Sequence, residues 1–158
     1  MRVFVLTISD SVAAGKAEDR SGPALIARCN ELGWEIGSSA VCADDRPTIE
    51  VLLKKAADSG VTDLILTTGG TGVGPRDVTP EATAAVCERL IPGFSEQMRA
   101  AGREKTPRSI LSRAAAGIRG KAIIINLPGS PRGAVESLDA IAELLPHSVD
   151  VLHGAHHG

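Results

Sequence analysis

A chain of 158 residues is long enough for one ordinary domain with a real core. Its hydrophobic share of 43% and charged share of 23% are those of a globular protein. A formal net charge of -2, with aromatics limited to Phe4, Trp34 and Phe94, supplies neither the basic stripe of a nucleic-acid binder nor a base-stacking platform.

The opening stretch, MRVFVLTISD, turns polar at Asp10, too early for a signal peptide, and residues 2–9 read as a first buried strand. No apolar run approaches the length of a membrane span. A helix is predicted over 23–32, with Leu25, Ile26, Cys29 and Leu32 on one face, then a weaker strand over 35–43. Residues 47–57 repeat Ile49, Leu52, Leu53 and Ala56 at helical spacing, and residues 64–68 (LILTT) form a third strand. Helices are predicted over 80–90 and 94–101. Residues 121–127 (KAIIINL) read as a strand buried on both faces, and Val135, Leu138, Ile141, Ala142 and Leu145 mark a last core-facing helix.

This alternation predicts an α/β fold: a single three-layer domain over 1–151, with a mostly parallel sheet and helices on both faces. A flexible tail follows over 152–158, in which His153, His156 and His157 offer no fixed metal geometry. Cys29, Cys42 and Cys87 are odd in number and form no C-x-x-C, which fits a reducing, cytoplasmic setting.

Three strand-to-helix junctions place a hydroxyl close before a proline: Ser21-Gly22-Pro23, Thr79-Pro80 and Ser130-Pro131. Each is predicted to cap a helix, and all three should gather at the carboxyl edge of the sheet, where open α/β sheets bind ligands. The most specific segment is TTGGTGVGPRDVTPE over 67–81. Its glycines let the backbone approach a ligand, and the following helix start suits an anion such as phosphate. It has no Gly-Lys-Ser/Thr of a Walker loop, and Pro75 stands where a dinucleotide fingerprint starting at Gly70 needs glycine. Taken by themselves, these residues also fit a ligand-free turn, with Asp77 capping the next helix and Asp44 a turn residue or cap near Pro47. Ser112-Arg113 reads as an ordinary loop equally well.

The same segment resembles the signature of the MogA/MoaB proteins and of the G domains of fusions such as gephyrin. So do Ile8-Ser9-Asp10 with Asp19-Arg20-Ser21-Gly22, the block from Ile110 to Gly120, and Asn126-Leu127-Pro128-Gly129-Ser130-Pro131. The resemblance runs in order along nearly the whole chain. It implies a molybdopterin adenylyltransferase of molybdenum-cofactor synthesis, which joins AMP from ATP to the terminal phosphate of molybdopterin and releases pyrophosphate. It also implies Asp44 and Asp77 as the essential carboxylates and as Mg²⁺ ligands, with Asp45 the alternative to Asp44. Ser112 matches a pterin-binding serine. Substrate or nucleotide contacts fall on Ser9, Asp10, Ser21, Gly22, Gly69, Gly70, Thr71, Gly72, Arg76, Arg113, Pro128, Gly129 and Ser130. Arg76 or Arg113 would neutralise pyrophosphate. The partners implied are small molecules and copies of the chain, as a trimer, with no nucleic acid and no membrane.

Such chemistry needs no general base, because a phosphate monoester is already largely dianionic at neutral pH. That agrees with histidines confined to 147–157, outside every motif. Two rivals stand beside this reading: a pyrophosphatase-like domain as in competence-damage proteins, and a non-catalytic pterin-binding or assembly module.

Overall fold

Side chains alternate sides along a strand, and here both sides are apolar. In β1 (Arg2–Ile8), Val3 and Val5 face one way while Phe4, Leu6 and Ile8 face the other. β3 (Leu64–Thr68) and β6 (Ala122–Leu127) repeat this, with Ile65 and Ile124 opposed to Leu66 and Ile125. Each such side chain, fully buried, contributes about 1.5–3 kcal/mol. A sheet apolar on both faces must be covered on both, and it is. The computed structural model describes residues 1–156.

One face carries α2 (Ser21–Glu31), α5 (Pro92–Arg103), α6 (Pro131–Ile141) and α7 (Leu145–Leu152), through Leu25, Met98, Leu138 and Val149. The other carries α3 (Arg46–Asp58) and α4 (Thr79–Val86), through Ile49, Leu53, Ala82 and Val86. The three-layer α/β arrangement is as expected. No helix among the described residues is long and apolar enough to cross a membrane.

Among the described residues the sheet has six strands where four were predicted, in the order β2-β1-β3-β6-β5-β4. β2 (Glu35–Cys42), β1, β3 and β6 are parallel, whereas β5 (Ala116–Arg119) and β4 (Arg89–Leu90) run antiparallel at one edge. The helix expected over 80–90 therefore stops at Val86, and Arg89–Leu90 pairs with Gly117 and Ile118 instead. The last helix is interrupted: α6 ends at Ile141, a 3-10 turn spans Ala142–Leu144, and α7 begins at Leu145 with Pro146 in its first turn, where a proline is tolerated.

Helix α7 takes in Leu152, and His153 is held by its ring against the Lys121 carbonyl at 2.9 Å. His157, the last of the tail histidines, lies outside the described residues.

The order of strands places the site. From β1 the chain crosses to β2 on one side, then returns past β1 to β3 on the other. The connections leaving β1 and β3 part at their carboxyl ends, which opens a crevice there.

Candidate functional site

The loop after β1 and the loop after β3 meet over this crevice. Ser9 caps the short helix α1 (Asp10–Ala13), its hydroxyl accepting the Val12 N–H. Asp10 and Asp44, which follow β1 and β2, bond reciprocally: each backbone N–H donates to the other's carboxylate at 2.9 Å. Arg76 from the glycine loop grips Asp10 with two nitrogens, at 3.0 and 3.2 Å. That guanidinium holds the Asp10 carboxyl below its ordinary pKa. Burial, opposed by the Asp10 N–H and reinforced by the negative charges of Asp10 and Asp77, pushes the Asp44 carboxyl above its own.

Asp44 and Asp45, indistinguishable by position, have different tasks. Asp45 is the N-cap of α3, accepting the Thr48 N–H at 3.1 Å, while Asp44 lines the crevice pocket. Replacing Asp45 by alanine should therefore cost about 1 kcal/mol of stability, the usual value of a cap, with catalytic turnover held near the parent rate. Thermal melting and product formation on that variant check both halves.

Asp77 does not cap α4, whose N-cap position, Val78, makes no side-chain capping bond. Its carboxylate turns back over the loop and accepts the Gly74 N–H at 3.0 Å. A Cβ on Gly72 or on Gly74 would sit 2.9 Å from Asp77 Oδ2, so the two glycines make room for that carboxylate. The predicted caps are likewise one of three. Ser130 caps α6, accepting from Gly133. Ser21 instead lies inside α2, where Asp19 accepts the Gly22 N–H, and Thr79 donates its hydroxyl to the Gly69 carbonyl.

Two cavities result. The first, about 380 Å³, is lined by Ser9, Ser21, Asp44, Gly69, Gly70, Asp77 and Gly129, together with Glu18 and Asp19. The amino ends of α2 and α6 open onto it through Ser21 and Pro131, and such ends favour anions. The second, about 250 Å³, lies between α5 and α6 and includes Ser112, Pro128 and Ser130. The loop 128–130 is the wall between them, since Gly129 faces one cavity and its two neighbours the other.

Asp10, Gly22, Thr71, Gly72, Arg76 and Arg113 line neither cavity. Thr71, Gly72 and Arg76 belong to the glycine loop, which Asp10 and Arg113 hold, whereas Gly22 in α2 packs against Thr7 and Asp19. Arg113 spends its whole guanidinium on the loop: Nε donates to the Gly72 carbonyl at 2.7 Å, Nη2 to the Asp77 carbonyl at 2.8 Å, and Nη1 to Glu81 at 2.9 Å. Its backbone N–H also donates to the Thr71 carbonyl. Arg113, expected alongside Arg76 as a candidate to neutralise pyrophosphate, is bonded here to the glycine loop. Glu81, Asp19 and Asn126 were not read as site residues. Asp19 accepts from Thr7 at 2.9 Å. Asn126, fully buried, donates to Thr67 and Thr83 and accepts from the Ala115 N–H. The only signal for them was their membership in the motif blocks.

An open α/β sheet with an acidic, glycine-lined pocket at its switch point defines a protein whose candidate ligand site is that carboxyl edge. The profile of the family described as a probable molybdopterin binding domain matches residues 4–147, and the chain belongs to that family. A molybdopterin adenylyltransferase of Helicobacter pylori J99 is 42% identical, with 98% of this chain and 89% of that protein aligned. The molybdopterin adenylyltransferase of Escherichia coli K12 is 38% identical over 90% of this chain and 74% of that one. The crystal structure of the molybdopterin biosynthesis enzyme MoaB of Thermus thermophilus superposes with a TM-score of 0.92. It is 44% identical, and the match covers 98% of this chain and 97% of that one.

Proposed function

We propose that the chain transfers AMP from Mg-ATP to the terminal phosphate of molybdopterin, releasing pyrophosphate. The observation that carries this reading is the pair of cavities meeting at one loop, 128–130. The glycine-lined, acidic one suits the phosphates of ATP with their metal. The other, holding Ser112, suits the pterin. A substrate spanning both brings its phosphate to the wall between them.

In the reaction, a terminal phosphate oxygen of molybdopterin attacks the α-phosphorus of ATP. A new phosphoanhydride bond forms, the bond to the β-phosphate breaks, and its electron pair leaves with pyrophosphate. The attacking oxygen is already ionised, and no histidine lines either cavity among the described residues. The protein's work is alignment and charge stabilisation. The Gly69–Gly70 turn and the amino ends of α2 and α6 cradle phosphate oxygens. Mg²⁺ takes one or two carboxylates plus substrate phosphates, and Asp44 with Asp77, facing one pocket, fits that donor set. Burial above all, and after it the negative charges of Asp10 and Asp77, raise the Asp44 pKa, and a divalent cation would relieve the charge part of that shift. When bound, the metal would neutralise the charge that builds on the leaving phosphates. Arg20, which lines that pocket, and Arg76, paired with Asp10, are the cations available to pyrophosphate.

The experiment is incubation with molybdopterin and Mg-ATP, following pyrophosphate release and adenylylated product. Both are expected, and both should cease when the metal is chelated. Tight pterin binding with no pyrophosphate release would support the non-catalytic module, and hydrolysis of ADP-ribose the pyrophosphatase-like reading. The family resemblance also carries assembly as a homotrimer in the cytoplasm; a monomer in sedimentation at micromolar concentration would overturn the trimer.

A further inference from the structure

Among the described residues, one buried side-chain oxygen or nitrogen has no hydrogen-bond partner: the hydroxyl of Ser95. Ser95 stands in the first turn of α5, is 5% exposed, and lines the cavity between α5 and α6. A helical serine ordinarily settles its hydroxyl on the carbonyl four residues back, here Ile91, and Ser95 makes no such bond. Three other buried hydroxyls around the site are used. Thr7 bonds Asp19, Thr68 the Pro128 carbonyl and Thr79 the Gly69 carbonyl. Burying a hydroxyl with nothing to bond is costly, so an unbonded one beside a cavity points to a ligand as the missing partner.

The cavity itself narrows the chemistry. Met98, Ala114 and Pro128 give it apolar walls that suit the faces of a flat ring, while Arg99, Lys105 and Arg108 add positive charge to the lining. Ser95 does not line the glycine-loop pocket, where the reading above seats the phosphates of ATP. A hydroxyl both donates and accepts, and its hydrogen rotates to suit. It therefore matches a ring edge that carries amide-like N–H and C=O groups. We propose that Ser95 is a specificity-determining residue of the pterin seat, bonding the polar edge of the ring. This rests on the adenylyltransferase reading above.

The test compares Ser95→Ala with the parent protein in three measurements: thermal melting, molybdopterin affinity by anaerobic calorimetry, and KM for Mg-ATP. Alanine removes the unbonded hydroxyl and leaves the helix, so melting should hold or rise. Molybdopterin should bind about three- to tenfold more weakly, the usual net worth of one hydrogen bond, while KM for Mg-ATP stays the same. Unchanged molybdopterin affinity in Ser95→Ala would overturn the proposal and leave the adenylyltransferase reading standing. Weakening of both substrates together with a lower melting temperature would overturn it too, by showing a structural role. A parent protein that binds no molybdopterin would overturn both.

Discussion

Gly69→Ala should destabilise the protein by at least about 3 kcal/mol, in the range reserved for forced backbone clashes. For a domain of this size that is a melting temperature lower by roughly 6–12 °C. Gly69 has φ +104, where an L side chain is strained, and a Cβ built on it would lie 2.1 Å from the Ile8 carbonyl oxygen. That oxygen is backbone at the end of β1, so no side-chain rotation makes room. The residue is also pinned from other directions: its N–H donates to the Leu127 carbonyl, and its carbonyl accepts from Thr79. The carboxyl ends of β1, β3 and β6 thus close on one glycine, and moving it would disturb both cavities. Gly60→Ala is the control. Its φ is +79, but nothing lies within 4 Å of the added Cβ, so only the left-handed strain of about 1–2 kcal/mol applies. Equal melting of the two variants would mean that the crossing at Gly69 yields easily. The tight closure would then be wrong.

That crossing shows what one-dimensional reading reaches and what it does not. The three buried parallel strands were legible because burial on both faces writes itself as continuous apolar sequence, and Leu64–Thr68 agrees with its expected limits to the residue. β4 and β5 were not. They are two and four residues long, contain Arg89, Gly117 and Arg119, and are partly exposed, so no period could show. The break between α6 and α7 did not show either, because Ile141, Ala142 and Leu145 keep the helical spacing across it. Within the site, the glycine loop and its Asp77 were legible from local chemistry and resemblance together. The partners that hold the loop were not. Arg113 meets Glu81 across 32 residues of chain and Asp10 meets Arg76 across 66, and no spacing rule connects such pairs. Ser21 and Thr79 were misread as caps for a more local reason: Asp19 takes the Gly22 N–H, and the Gly69 carbonyl takes the Thr79 hydroxyl.

Asp77→Asn should nearly abolish turnover, by roughly a thousandfold or more, while molybdopterin affinity stays within a few-fold. The magnitude follows from the several kcal/mol that metal-mediated charge stabilisation supplies and the tenfold in rate carried by each 1.36 kcal/mol. The local geometry makes the substitution discriminating. Asp77 serves its loop through one bond, accepting the Gly74 N–H, and an asparagine carboxamide oxygen accepts that N–H as well. The side chain keeps its size over Gly72 and Gly74, where those glycines leave space. Helix α4 loses no cap, because Asp77 provides none. What disappears is the negative charge facing the pocket shared with Asp44. Melting should therefore change little, and the whole effect should fall on the chemical step. Pyrophosphate release, molybdopterin binding and thermal melting on the same variant separate the possibilities. Loss of turnover with retained binding and melting places the charge in the reaction. A variant that turns over near the parent rate would reduce Asp77 to a loop residue, and the metal-carboxylate assignment would have to be withdrawn.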